Sequence, residues 1–215
     1  MISLEAALCD VEARFLYNLP ESELQQTDRM FFQIEQAHWF YEDFIADNYD
    51  HLPHYSLKQF AQTIFTHCPL FAKMQDKCMS LFQDFSAYRK KIPVFGCCIL
   101  NTEMTKIALQ CSWNGKSWGW PKGKVNEGED GLTCAIRETY EETGFDASLH
   151  CKEEHSMSIH EEEKLIKLYI ATNVPESTIF EPQTRKEVSK VEFHFIDDLP
   201  KSCYGVFQFL PKLKR

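Results

Sequence analysis

The feature that most constrains the fold is a change in the spacing of apolar residues near Pro93. Before it, apolar residues recur every three or four positions, as in LKQFAQTIF, which is the period of an amphipathic helix. After it come short runs such as VFGCCIL and KIALQCSW, which are typical of strands. A residue that precedes proline is biased away from helix. The sequence therefore predicts two domains, residues 1–92 and residues 93–215.

The first predicted domain is all-helical. Pro20, Pro53 and Pro69 divide it into segments, because proline interrupts a regular helix. The longest segment runs roughly from Asp28 to Asp47 and has aromatic residues on more than one side (FFQIEQAHWFYEDFI). Such a helix is either buried on several faces or carries a binding face.

The second predicted domain is mixed α/β. Strands flank one strong helix, about Gly131 to Thr143, and KLIKLYIAT and VEFHFI are further strands. The last stretch, CYGVFQFLPKLKR, predicts a helix interrupted by Pro211. The predicted fold class is therefore α+β: an all-helical domain, then a mixed α/β sandwich, then a C-terminal helix.

Composition excludes several classes of protein. A formal net charge of −9 argues against a protein that coats nucleic acid through bulk electrostatics. The sequence has no apolar run of membrane-spanning length and no basic N-terminal region, so it predicts neither a transmembrane helix nor a signal peptide. Nine scattered cysteines without a CxxC pair disfavour zinc and disulfide frameworks. We expect reduced thiols and a cytosolic or nuclear protein.

Three carboxylates are crowded into one predicted helical turn. Glu138, Glu141 and Glu142 lie three and four residues apart, a spacing at which like charges destabilise a helix by about 0.2–0.5 kcal/mol per pair. One interpretation is a solvated acidic face. The other is a site for a hard divalent cation, which binds through a few carboxylates together with substrate phosphates. The spacing of the neighbouring residues favours the second interpretation.

Seven residues share one long spacing pattern, G-x5-E-x7-R-E-x2-E-E-x-G: Gly123, Glu129, Arg137, Glu138, Glu141, Glu142 and Gly144. The pattern resembles the Nudix box of hydrolases that cleave a nucleoside diphosphate linked to another group. Thr139 departs from it at an aliphatic packing position. We interpret Glu129 as the ion-pair partner of Arg137, and Gly123 and Gly144 as turn positions that need backbone freedom.

Four further stretches extend the resemblance over residues 10–213: FFQIEQAHWFYEDFI, the basic run before Pro93, WGWPKGK and TRKEVSKVEFH. Together they resemble the catalytic subunits of mRNA-decapping enzymes. The resemblance implies a hydrolase that uses Mg²⁺ or Mn²⁺ to remove the 7-methylguanosine cap from mRNA, releasing 7-methyl-GDP and 5′-monophosphate RNA. It also implies a small EVH1-like activator on residues 1–30, no membrane, and a cytoplasmic location that includes P-bodies.

The resemblance implies three cap-binding residues. Methylated guanine is cationic, and Trp39 offers the best aromatic face for it. Asp43 lies about 6 Å further along the same predicted helix face, where it would accept hydrogen bonds from the base. Tyr204 would stack from the opposite side. From the residues alone, an ordinary core position is the alternative for both aromatics.

The resemblance also assigns the reacting and metal-binding groups. It names Glu138, Glu142 and Glu187 as catalytic, and adds Glu141 and Gly123 to the metal site. Glu187 is either a general base or a ligand for a further ion, and from the residues alone it is a surface ion-pair residue.

The resemblance gives the basic residues a role in binding phosphate. Lys122 and Lys124 flank the predicted site, where each would hold a phosphate or remain an ordinary surface lysine. A basic strip would bind the RNA beyond the cap: Arg185, Lys186, Lys190, Lys201, Lys212, Lys214 and Arg215.

Two other functions are compatible with the box. One is a Nudix hydrolase of small nucleotides or inositol pyrophosphates, which the aromatic helical domain disfavours. The other is a cap-binding or scaffold module with a degenerate box. The complete set of four glutamates argues against that reading.

Overall fold

A computed structural model describes residues 2–214 of the chain. The chain forms two compact units that divide between Lys90 and Lys91, two residues before the predicted boundary. We describe each unit by itself.

The first unit is helical. Its α-helices, named α1 to α5 in chain order, are Leu4–Phe15, Glu21–Leu24, Thr27–Phe40, Leu57–His67 and Cys78–Lys91. The longest of them, α3 and α5, have 14 residues each, whereas a membrane-spanning helix needs about 20. Among residues 2–214, no helix has the length and apolar character needed to cross a membrane.

Aromatic side chains fill the core of this unit. Phe31 of α3 is fully buried and stacks on Phe65 and Phe85, with ring centroids 5.7 and 5.3 Å away. Offset stacking of this kind adds about 0.5–1.5 kcal/mol per pair to the burial of apolar area. The contacts hold α3 against α4 and α5.

The predicted helix from Asp28 to Asp47 is wrong as a single regular element. The α-helix ends at Phe40 and continues as a π-helical turn, Tyr41–Ile45, and a 3₁₀ turn, Ala46–Asn48. Tertiary contacts account for the change. The Tyr41 hydroxyl donates to the Pro53 carbonyl at 2.8 Å, and the Glu42 carboxylate accepts from the Tyr55 amide at 2.7 Å. Single π turns within helices are often found at functional sites.

The second unit contains a seven-stranded mixed sheet. Its strands, β1 to β7, are Val94–Asn101, Lys106–Ser112, Trp118–Gly119, Lys122–Lys124, Ser156–Glu161, Lys164–Val174 and Val188–Phe195. The main path has the order β3-β2-β1-β6-β5, β4 pairs with β1, and β7 pairs with β2. β1 and β6 are parallel and the other pairs are antiparallel.

Helices cover both faces of this sheet. The helix α6, Gly131–Thr143, packs on one face through small residues such as Ala135, which shares a buried cluster with Cys97 and Ile99 of β1. On the other face, Val206 and Phe209 pack with Trp120. The predicted α+β class, with a helical domain followed by a sandwich, is confirmed.

The C-terminal region differs in detail from the prediction. It forms two short helices, α7 (Tyr204–Phe207) and α8 (Leu210–Leu213). Pro211 does not separate them, because it lies within the first turn of α8. That turn tolerates proline, since its backbone amides have no partner within the helix.

Both ends of α6 are fixed by side-chain or backbone geometry. At its start, the Asp130 carboxylate accepts from the amides of Leu132 and Thr133, at 3.1 and 3.0 Å. At its end, Gly144 adopts a left-handed conformation with φ of 72°, as predicted for a position that needs backbone freedom. A Cβ atom at Gly144 would lie 2.4 Å from the Glu181 carbonyl oxygen.

Gly144→Ala should therefore destabilise the protein more than Gly115→Ala. Gly115 has nearly the same φ, 70°, but no atom lies within 4 Å of the position of its added Cβ. Gly115→Ala should cost about 1–2 kcal/mol for the left-handed backbone alone. Gly144→Ala should add a steric cost of about 1–3 kcal/mol. Chemical denaturation of both variants checks this, and equal losses would contradict it.

Candidate active site

The exposed side of α6 is organised around one arginine. The Arg137 guanidinium donates from Nε and Nη2 to the two carboxylate oxygens of Glu129, at 2.8 and 2.9 Å. Its Nη1 donates to Glu138 at 2.7 Å and to Glu141 at 3.3 Å. The predicted ion pair of Glu129 with Arg137 is present, and it has the two-pronged geometry that makes such pairs strong.

Gly123 provides space for a carboxylate. It lies in β4, and a Cβ atom there would be 2.0 Å from the Glu138 carboxyl carbon. The residue is not among the glycines with positive φ, which are Gly115, Gly128 and Gly144. Its interpretation as a turn position is therefore wrong. Glycine is needed here because the Glu138 side chain lies directly against the backbone of β4.

Glu142 is held by the sheet. Its carboxylate accepts from the Lys122 amide at 2.7 Å, and the Gln110 side chain of β2 lies near enough to lower its pKa. Burial raises the pKa of Glu142 to about 7, and Gln110 and Lys122 only partly offset the increase. The Glu142 carboxyl thus titrates near neutral pH in the absence of a bound cation.

Glu187 acts electrostatically on the same cluster. Burial is the main cause that raises the pKa of Glu138, and the negative charges of Glu141 and Glu187 raise it further. Arg137 opposes these effects. The structure thus brings Glu187 within electrostatic range of Glu138, although Glu187 follows α6 by more than forty residues in the sequence.

Backbone contacts explain how Glu187 reaches the helix. The amide of Glu181 donates to the Thr143 carbonyl at 2.9 Å, and the amide of Gln183 donates to the Glu141 carbonyl at 2.8 Å. Further on, the Glu187 carbonyl accepts from the Trp113 amide at 2.9 Å. The segment is therefore fixed to the C-terminal end of α6 at one side and to the end of β2 at the other.

The donor set suits a hard divalent cation. Four carboxylates contribute oxygen ligands, and the negative charges of Glu141 and Glu187 add to the effect of burial on the pKa of Glu138. Gln110 adds a side-chain oxygen that has no hydrogen-bond partner among the described residues. Glu138, Glu141, Glu142 and Glu187 are the residues that fit such an ion.

The predicted basic residues differ in what they contact. Lys122 and Lys124 are half-buried in β4 beside the cluster, and the Lys124 carbonyl accepts from Arg137 at 3.2 Å. In the predicted RNA strip, Lys190 is paired with Glu192 at 2.8 Å.

Some other members of the strip also form local contacts, and others are exposed. Lys214 is paired with Asp197 at 2.6 Å, and Lys212 donates to the Ser158 carbonyl. Arg185, Lys186 and Lys201 are exposed, and Arg215 lies outside the described residues. The strip is therefore partly neutralised by local contacts.

The predicted cap residues of the first unit lie on its surface. Trp39 is 49% exposed, which excludes the alternative of an ordinary core tryptophan. It borders a groove of about 520 Å³ that is also lined by Glu35, Arg89 and Lys90. Asp43 is not among the described residues that line this groove. Asp43 is half-buried in the π-helical turn that follows α3.

Tyr204 is also a surface residue. It begins α7 and is 81% exposed, so the alternative of a core tyrosine is wrong. Its ring is available for a ligand.

Two residues of this site had no signal in the sequence. Gln110 lies in an ordinary strand pattern, and only the register of β2 brings it to Glu142. Trp113 follows the same strand, and its contact with Glu187 depends on the pairing of β2 with β7, in which Ser112 is the partner of Val188. Neither placement can be inferred without knowing which strands are neighbours.

Comparison with known proteins defines the class. Residues 90–213 match the NUDIX domain, and residues 6–88 match the Dcp2, box A domain. The chain belongs to the Nudix family.

Within that family, its relatives include proteins named as mRNA-decapping subunits. The chain is 41% identical over 220 residues to mRNA decapping complex subunit 2 of Schizosaccharomyces pombe, covering 97% of this chain and 30% of the relative. It is 37% identical to mRNA-decapping enzyme subunit 2 of Arabidopsis thaliana, covering 89% of this chain and 52% of the relative. It is 36% identical to m7GpppN-mRNA hydrolase dcap-2 of Caenorhabditis elegans, covering 90% of this chain and 25% of the relative. The resemblance found in the sequence is confirmed, and the chain spans at most about half the length of these relatives.

Gly123→Ala should impair the acidic cluster with little loss of stability. The added Cβ would displace the Glu138 carboxylate, which is the mobile end of a flexible side chain. We expect weaker binding of Mn²⁺, measured by calorimetry, and a nearly unchanged unfolding temperature. Gly119→Ala is the matched control, because no atom lies within 4 Å of the position of its added Cβ. Equal Mn²⁺ affinity in the two variants would contradict the assignment of Glu138.

Proposed function

We propose that this chain is a divalent-cation-dependent hydrolase that removes the 7-methylguanosine cap from mRNA, releasing 7-methyl-GDP and leaving 5′-monophosphate RNA. The observation that carries the proposal is the combination of two features in one chain. One is the four-carboxylate cluster of the Nudix domain. The other is an exposed tryptophan in a unit that matches the Dcp2, box A domain. The names of the relatives support the same activity.

The acidic cluster would hold Mg²⁺ or Mn²⁺. The carboxylate oxygens would come from Glu138, Glu141, Glu142 and Glu187. Gly123 offers only backbone atoms beside Glu138. When bound, the cation neutralises charge on the phosphates and polarises their oxygens. Arg137 keeps Glu138 and Glu141 in place through its hydrogen bonds.

The remaining groups position the substrate and move the proton. Lys122 and Lys124 contribute positive charge to the phosphates. Glu187 either accepts the proton of the attacking water or holds a second ion. Both roles fit a carboxylate whose charge is felt by Glu138.

Cap recognition is assigned to the exposed aromatics. Trp39 presents an aromatic face to the cationic base, and Asp43 accepts hydrogen bonds from its edge. Tyr204 provides a second stacking face. RNA beyond the cap follows the exposed cations Arg185, Lys186 and Lys201, together with Lys190 and Lys212.

The same resemblance extends to partners and location. We propose that a small EVH1-like activator binds the helical unit around residues 1–30, and that the protein acts in the cytoplasm, including P-bodies.

The direct test is incubation of cap-labelled RNA with Mg²⁺ or Mn²⁺. We expect release of labelled 7-methyl-GDP, identified by its mobility, and RNA that carries a 5′-monophosphate. Uncapped RNA and free cap dinucleotide are the controls. Faster hydrolysis of the dinucleotide than of capped RNA would instead indicate a hydrolase of small nucleotides.

Glu142→Gln should abolish turnover while the protein stays folded. The substitution keeps the size of the side chain but removes the charge that the cation requires. Since a metal supplies several kcal/mol of transition-state stabilisation and about 1.4 kcal/mol is tenfold in rate, we expect a loss of roughly a hundredfold or more at saturating Mg²⁺. Glu154→Gln, an exposed glutamate in the turn before β5, is the matched control. Turnover within about tenfold of the unaltered protein would exclude Glu142 as a ligand.

Trp39→Ala should weaken cap-dependent binding by about 1–3 kcal/mol, the cost of losing one stacked base. It should also reduce the preference for methylated over unmethylated cap, because methylation makes the base cationic. Affinities of both cap analogues, measured by fluorescence titration, check this. Tyr49→Ala, another exposed aromatic of the helical unit, should have no effect. An unchanged preference for the methyl group in Trp39→Ala would remove Trp39 from the cap site.

A further inference from the structure

The loop between β2 and β3 carries a large exposed aromatic residue beside the candidate active site. Trp113 is 57% exposed. Its amide donates to the carbonyl of Glu187 at 2.9 Å, so its backbone adjoins that of one of the four clustered carboxylates. Its ring is exposed to water and does not pack in the core, unlike the buried ring of Trp120.

Hydrogen bonds within the loop fix the backbone that carries Trp113. The Ser112 amide donates to the Ser117 carbonyl at 2.8 Å, and the Ser117 hydroxyl bonds to that of Ser112 at 3.0 Å. The Lys116 amide donates to the Asn114 side chain at 3.0 Å. A ligand that binds this loop therefore meets a preformed surface, which reduces the entropy lost on binding.

A cation and a second aromatic lie next to this loop. The Lys190 ammonium is 5.2 Å from the ring centroid of Trp118. Lys190 is the cross-strand partner of Cys111, two residues before Trp113. Lys190 also pairs with Glu192 at 2.8 Å, so its charge is partly balanced within the protein.

Single-stranded RNA matches this combination of groups. Every base has a face that stacks on an aromatic ring, and its phosphates pair with lysine. If the triphosphate of capped RNA lies at the carboxylates, the following nucleotides must leave the site past one of its borders. The Glu187 segment and the loop that carries Trp113 form such a border.

We propose that Trp113 is a stacking platform for a nucleobase of the RNA that follows the cap, with Lys190 as a neighbouring phosphate contact. This inference rests on the proposed function for the identity of the substrate. It assigns Trp113 to binding of the RNA chain, separately from the cap contacts of Trp39 and Tyr204.

The test compares Trp113→Ala, Trp113→Phe and Phe195→Ala. Phe195 is the matched control, because it is 55% exposed and has the Lys106 ammonium 4.5 Å from its ring centroid, but it lies at the opposite end of β7 from Glu187. Binding of an uncapped 5′-monophosphate single-stranded RNA is measured by fluorescence anisotropy. The KM for capped RNA and the rate on free cap dinucleotide are measured in parallel.

We expect Trp113→Ala to raise the Kd for uncapped RNA roughly tenfold, as for the loss of one base stack, and to raise the KM for capped RNA similarly. Trp113→Phe should retain most of the affinity, and Phe195→Ala should retain all of it. For Trp113→Ala, the loss on capped RNA should exceed any loss on cap dinucleotide, which lacks the RNA chain, and Phe195→Ala should change neither rate.

An unchanged Kd and KM in Trp113→Ala would overturn the inference. The uncapped RNA separates the two proposals, because its binding requires no hydrolysis. A chain that binds RNA through Trp113 but cleaves no cap would overturn the proposed function alone.

Discussion

The candidate site depends on one guanidinium group within a cluster of acids. Arg137 binds both oxygens of Glu129 and one oxygen each of Glu138 and Glu141. Without it, carboxylates three and four residues apart on a helix would repel each other, and the half-buried Glu129 would lose its ion-pair partner. The pKa of Glu129 is lowered chiefly by its hydrogen bond with Arg137. The guanidinium of Arg137 thus fixes the loop before α6, and the helix keeps a surplus of negative charge.

The sheet adds to this arrangement, because its strand β4 lies directly against the side chains of Glu138 and Glu142. The backbone of β4 passes so near to Glu138 that any side chain at position 123 would displace the Glu138 carboxylate, and the neighbouring Lys122 amide binds Glu142. The carboxylates are therefore positioned by rigid elements on both sides, which is the arrangement that precise ligand geometry requires. Burial in this interface also raises the pKa of Glu142.

Much of this could be predicted from local sequence. The helix α6 has the predicted bounds because its cap residues, Asp130 and Gly144, lie next to it in the chain. The Glu129–Arg137 pair spans eight residues and is visible in the spacing pattern. In contrast, β3 and β4 have only two and three residues, too few for a periodic signal. The π turn after Phe40 depends on contacts with Pro53 and Tyr55. The requirement for glycine at position 123 depends on Glu138, which lies on a helix that follows it in the sequence. Such features come from tertiary contacts, which a local pattern does not encode.

The pairing of β7 with β2 has a consequence for how the site forms. The two strands are about eighty residues apart in sequence, since Ser112 lies opposite Val188, and contacts of such long range slow folding because a large loop must close first. Glu138, Glu141 and Glu142 are gathered by a local helix, whereas Glu187 arrives only when this pairing is complete. On the ribosome, three carboxylates are therefore made and placed well before the fourth. A nascent chain that has not yet paired β7 carries an acidic helix but only three of the four carboxylates, so the site is completed by a late, high-contact-order step of folding.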